Sequence, residues 1–159
     1  CERFLVTMAC RYQLAILGGG FPVPVGDGQH TYQRAQLVGR DGQLLARYDK
    51  IHLFDVDIPD SDESYRESTH IEPGSEMCVL DSPFGRLGLA ICYDLRFPEL
   101  FRLMSAAGAE IMAFHLGSTV VLLTEPGLDP SPDLVPGREV LVGTPLAHPS
   151  NLPHNRTFE

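Results

Sequence analysis

The residue in this chain best placed to do chemistry is a cysteine. In the run Gly88-Leu89-Ala90-Ile91-Cys92-Tyr93-Asp94-Leu95-Arg96-Phe97-Pro98-Glu99-Leu100 it stands where an apolar strand gives out and a helix is about to begin. Pro98 suits the first helical position, where a backbone donor is not needed. A junction of this kind exposes a nucleophile. The backbone N–H groups that follow can face an oxyanion, and a nearby cation can keep the thiol as thiolate, the reactive form. Tyr93 carries the first such N–H. On the residues alone a second reading stays open, in which Cys92 is a packed strand terminus, because free cysteine is among the most buried residue types.

The elements that must position this junction can be read on either side of it. Phe4, Leu5, Met8 and Ala9 fall at helical spacing within residues 1–12, and Leu14 to Leu17 is a short apolar run stopped by Gly18, Gly19 and Gly20. That pattern predicts helix, strand and glycine loop. The loop is a poor phosphate cradle, because Phe21, Pro22 and Pro24 occupy the place where a dinucleotide fold starts its helix. Two strand-like runs, 31–38 and 43–48, flank the turn triplet Arg40-Asp41-Gly42 and predict a β-hairpin. The chain leaves the second strand through Asp49-Lys50-Ile51-His52 and enters a polar stretch, 55–74, expected to be loop with at most one helical turn. Residues 77–80 and 86–92, joined by Asp81-Ser82-Pro83-Phe84-Gly85, predict a second hairpin. Its second strand, nearly continuous in apolar residues, should be buried on both faces. A helix from Pro98 through Met104, ended by Gly108, and a strand over 109–114 complete the pattern. Seven of the 13 prolines lie between Glu125 and Glu159, so residues 118–159 are expected to form an irregular tail.

Composition removes several classes of function. Twelve Lys and Arg against 21 Asp and Glu give a formal charge of −9, with the basic residues scattered, which disfavours nucleic acid as a partner. The longest apolar runs fall well short of the roughly 20 residues a membrane span requires. Cys1, Cys10, Cys78 and Cys92 are too few and too irregularly spaced for a disulfide framework, and there is no CxxC pair for zinc. The expectation is a reducing, cytoplasmic setting and no membrane partner. His52 and His70 lack the spacing of a metal site.

Two separated blocks, in order, resemble one family. Arg47-Tyr48-Asp49-Lys50-Ile51-His52-Leu53-Phe54-Asp55 is similar to the lysine block of nitrilase-superfamily carbon–nitrogen hydrolases, and Gly88 to Leu100 is similar to their cysteine block. Tyr65-Arg66-Glu67-Ser68, followed by Pro73-Gly74, resembles the intervening segment of the Nit branch, whose members hydrolyse ω-amides or deaminated glutathione. The resemblance covers about residues 31–114. It implies an α/β fold, part of a four-layer αββα sandwich with a mixed sheet and helices on one side. It further implies Cys92 as nucleophile, Lys50 as its cationic partner and Glu67 as a supporting glutamate. The amide of Tyr93 would join Lys50 in stabilising the oxyanion. The substrate class implied is a small carboxylated amide, cleaved through a cysteine thioester with no metal or organic cofactor, by a homo-oligomer. Each residue keeps a plainer alternative: Lys50 and Glu67 as solvated charges, and Arg96 paired with Glu99 to shape the turn rather than touching substrate.

The same resemblance marks two departures. The family's general-base glutamate belongs upstream of the segment that residues 1–20 resemble, and Glu2, on the predicted helix, is not a substitute. After Phe114 the family's Trp-Glu helix is not recognisable. The chain is therefore expected to be a partial carbon–nitrogen hydrolase domain over 1–117 with a proline-rich tail over 118–159, truncated in appearance at both ends and impaired in turnover. Two classes of function remain in view, an amidase and an inactive nitrilase-like module that serves interactions. A flavodoxin-like ligand binder would require both blocks to be accidental.

Overall fold

The structure, a computed structural model, describes residues 2–26, 28–58, 64–115 and the strand 119–123. Helix α1 (Glu2–Tyr12) presents Leu5 and Ala9, one turn apart and both fully buried, as its apolar stripe, while Phe4 faces outward. Strands β1 (Ala15–Pro24), β2 (Thr31–Val38) and β3 (Leu44–Asp49) follow as an antiparallel meander. The hairpin between β2 and β3 turns where the sequence predicts, with Gly42 at φ +82°. A short ribbon comes next, β4 (Asp55–Asp57) against β5 (Ser64–Arg66), and leads into a 3₁₀ turn over Glu67–Thr69. Strands β6 (Cys78–Ser82) and β7 (Gly85–Ile91) form the second predicted hairpin. Helix α2 (Pro98–Ala106) then crosses to β8 (Ile111–His115), which lies parallel to β7. Strand β9 (Thr119–Leu123) closes the order β3-β2-β1-β9 in one sheet, and β6-β7-β8 is the other.

Side-chain alternation shows how these pieces stack. On the first sheet Leu17, Ala35, Leu37 and Tyr48 point one way, and on the second Leu87, Leu89 and Ile91 point back at them, forming a single buried cluster between the sheets. The opposite face of the first sheet, with Ile16 and Val38, carries Leu5 and Ala9 of α1. The outer face of the second sheet carries α2. There a Cβ on Gly88 would lie 2.9 Å from the Met104 and Met112 sulfurs, so both thioethers would have to shift to admit it. Helix, sheet, sheet, helix is the four-layer αββα sandwich, with each sheet bearing its helix on one side. Leu87 to Ile91 are all buried, as their continuous apolar character requires.

Two expectations are corrected. The glycines at 18–20 are not a loop. They continue β1, with a bulge between Gly18 and Phe21, because both faces of the strand are crowded there. A Cβ on Gly18 would lie 2.7 Å from Leu5, and one on Gly19 would strike the His115 ring. The second correction concerns residues 118–159. Strand β9 lies within that stretch and pairs with β1 over Ala15–Gly19, so ordered structure passes the boundary expected at 117. The proline-rich remainder lies outside the described residues. No helix among those described is long and apolar enough to cross a membrane.

Candidate active site

Lys50 is placed by the end of β3. The cross-strand pair Arg34 and Asp49 is joined by two hydrogen bonds, at 2.6 and 2.8 Å, and the Lys50 N–H extends the ladder by donating to the Gln33 carbonyl at 2.9 Å. On its other side the Lys50 carbonyl accepts from Gly74, whose missing Cβ is required because the Asp49 carbonyl occupies that space. The Lys50 side chain is 0% exposed, so the reading of a solvated strand-end charge is set aside. A buried ammonium needs a counter-charge. Glu67 supplies it: its Oε2 accepts from Lys50 Nζ at 2.6 Å and from the Phe54 N–H at 2.7 Å. The β4–β5 ribbon delivers Glu67 to this place, and the Asp55 carboxylate caps the next turn by accepting from the Ser68 N–H at 3.1 Å. The Ser68 side chain, and secondarily this N–H bond, hold the Asp55 carboxyl below its ordinary pKa.

Cys92 lies directly after β7, at the head of a 3₁₀ turn over Cys92–Arg96, with φ +48°. A residue other than glycine adopts this left-handed conformation at an energetic cost and holds it only where surrounding bonds enforce it. Here the enforcing group is Asp94, wholly buried. Its Oδ2 accepts from the Ile91 N–H at 2.9 Å and the Tyr48 hydroxyl at 2.7 Å. Its Oδ1 accepts from the His52 N–H at 3.0 Å and lies 2.7 Å from His52 Nδ1. A carboxylate can only accept, so Nδ1 carries the hydrogen. Burial, and secondarily the bond to Asp94, push the Tyr48 hydroxyl pKa upward, keeping it a neutral donor. Aromatic rings pack beside the turn. His52 stacks on Phe97 at 3.7 Å, and Tyr93 meets Phe54 and Phe97 edge-on at 5.0 and 5.6 Å.

The residues singled out from sequence thus fall into two groups. Lys50 and Glu67 are bonded to each other, and the segment carrying Lys50 is bonded through Tyr48 and His52 to the turn carrying Cys92 and Tyr93. Arg96 and Glu99 do not pair. Glu99 binds Arg102 at 2.9 Å, three residues along the helix, and Arg96 is exposed with no ion pair among the described residues. Glu2 hydrogen-bonds Gln36 on the α1 face of the first sheet, the opposite face from Tyr48. Sequence reasoning missed Asp94, Tyr48 and His52. They lie inside the two blocks, yet the 46 and 42 positions separating Tyr48 and His52 from Asp94 give no local signal.

Comparison with known proteins identifies the family. The family model for carbon–nitrogen hydrolases matches residues 2–127. A deaminated glutathione amidase of Synechocystis sp. is 49% identical over 114 residues, which are 70% of this chain and 42% of that protein. The human omega-amidase NIT2 is 36% identical over 110 residues, covering 69% of this chain and 39% of its own length. The crystal structure of Saccharomyces cerevisiae Nit3, a member of branch 10 of the nitrilase superfamily, superposes with a TM-score of 0.61 at 30% identity. That superposition covers 72% of this chain and 38% of Nit3. The chain spans about two fifths of the length of these relatives.

Proposed function

Because this chain belongs to the carbon–nitrogen hydrolase family of the nitrilase superfamily, we propose that its turn at Cys92 cleaves the C–N bond of a small carboxylated amide through a thioester. The observation that carries the proposal is the convergence of the lysine and cysteine segments on one buried aspartate. Cys92 sulfur, as thiolate, adds to the amide carbonyl, and the oxyanion that forms is stabilised by the Lys50 ammonium and the Tyr93 N–H. The tetrahedral species collapses with loss of ammonia, which takes up a proton as it leaves, and water then hydrolyses the acyl–sulfur bond to free the carboxylate and the thiol. Glu67 keeps Lys50 aimed throughout by their 2.6 Å bond. Arg96, exposed and without an ion pair among the described residues, offers a carboxylate of the substrate a cation. The amides processed by the relatives, ω-amides and deaminated glutathione, are carboxylated and support this substrate class.

The proton transfers require an acid–base group beyond those assigned, and one such group contributes a factor on the order of 10² to 10⁴ to turnover. Ammonia release from a panel of ω-amides tests the proposal. Turnover that disappears in Cys92→Ala is the expected result. Turnover that survives the substitution refutes a cysteine thioester, and a panel with no turnover by the unsubstituted chain favours the inactive interaction module.

A further inference from the structure

We infer that Asp94 is a positioning residue that holds the lysine and cysteine segments in working register, with His52 as its partner. The inference rests on the roles proposed above for Lys50 and Cys92. Lys50 issues from the first sheet and Cys92 from the second, and side-chain packing alone leaves two sheets free to adjust against each other. Asp94 bonds to both. Oδ2 takes one donor from the cysteine strand, Ile91 N–H, and one from the lysine strand, the Tyr48 hydroxyl. Oδ1 takes two from the segment just beyond Lys50, the backbone and ring of His52. Lys50 is thus bracketed at positions 48 and 52 by groups bound to one carboxylate two residues past Cys92.

An aspartate is required, since asparagine offers one acceptor oxygen in place of two and turns an NH₂ toward two donors. The charge also suits the site, because four donors to one buried carboxylate replace the water it has lost. His52 is held on its far side by Phe97, so its ring cannot swing away without losing the stack.

The test is alkylation by iodoacetamide, resolved peptide by peptide, because it reads the activated thiol without requiring turnover. Cys10, exposed, and Cys78, part-buried with its thiol pKa raised by burial, serve as references within the same molecule. Asp94→Asn should slow Cys92 on the order of tenfold, the effect of losing strong hydrogen bonds to a charged acceptor, while Cys10 and Cys78 keep their rates. His52→Ala should also slow Cys92. His52→Asn, whose side-chain amide can donate near the place of Nδ1–H, should restore it. In the Asp94→Asn background His52→Ala should have no further effect.

An Asp94→Asn protein in which Cys92 reacts at its original rate and Cys78 stays protected overturns the inference. Where Asp94→Asn exposes Cys78, the His52 pair decides: restoration by asparagine supports the inference, and equal rates for His52→Ala and His52→Asn overturn it. Lys50→Gln separates this inference from the reading beneath it. If Lys50→Gln leaves Cys92 unchanged, activation by the lysine is itself refuted. If Lys50→Gln slows Cys92 and Asp94→Asn does not, only the positioning role is lost.

Discussion

Replacing Glu67 with alanine leaves the fully buried Lys50 ammonium without its counter-charge. Breaking a buried ion pair from one side costs about 3–5 kcal/mol. The Glu67 side chain retains 26% of its exposure, so the lower figure, about 3 kcal/mol, applies. The Phe54 N–H loses its acceptor as well, adding about 1 kcal/mol. At about 2–4 °C per kcal/mol for a chain of this size, a total near 4 kcal/mol lowers the melting temperature by roughly 8–16 °C. The second arm is Glu67→Ala combined with Lys50→Met, which removes the stranded charge and fills the space with a flexible apolar side chain. The Phe54 N–H is orphaned in both proteins and cancels from the comparison, so the double variant should regain about 2 kcal/mol over the single one. Thermal melts followed by circular dichroism measure both. If the single and double variants melt together, Glu67 is not what makes a buried Lys50 tolerable, and the account of the pair is wrong.

Further outcomes follow from burial elsewhere. His115 is fully buried, and desolvation lowers its pKa from 6.5 to about 4. The unfolded chain therefore takes up a proton near pH 6.5 that the folded chain resists until about pH 4. Stability should be complete above pH 6.5 and decline between the two values, by a ceiling of about 3 kcal/mol at about 1.4 kcal/mol per pH unit. Urea midpoints from pH 7.5 to 4.5 should fall less in His115→Gln than in the parent, and equal slopes refute the assignment. Gly19→Ala, which drives a methyl group into that ring, should destabilise by about 1–3 kcal/mol, a loss that denaturant midpoints would register. An unchanged midpoint would mean that the ring has room to move.

What could be read ahead of the structure was whatever local chemistry enforces. The turn Arg40-Asp41-Gly42 needed only a glycine with positive φ between two strands, and the helix beginning at Pro98 needed only proline's preference for a first turn. The triple glycine was misread because its cause is remote: Leu5 presses on Gly18 from one face and His115 on Gly19 from the other, and neither contact is visible in the local pattern. Strand β9 was hidden for a related reason. Thr119-Val120-Val121 is good strand sequence, but the prolines after it dominated the reading, and its pairing partner lies a hundred residues earlier. In the site, the cysteine junction declared itself by its place between strand and helix, and Lys50 and Glu67 emerged through resemblance. Asp94 did not emerge, because a lone carboxylate in a short turn has no signature until its donors arrive from β3.

The contact between Gly19 and His115 joins β1 of one sheet to β8 of the other, on the faces that meet. It acts as a pin seated in a slot. Sliding the two layers past each other by two residues along β1 would bring Leu17, whose side chain lies on the same face as Gly19, beneath the imidazole. The glycine gives the ring a seat that its neighbour on that face would deny. Since Lys50 rides on one layer and Cys92 on the other, this remote seat adds to the bonds of Asp94 in fixing how the two layers lie.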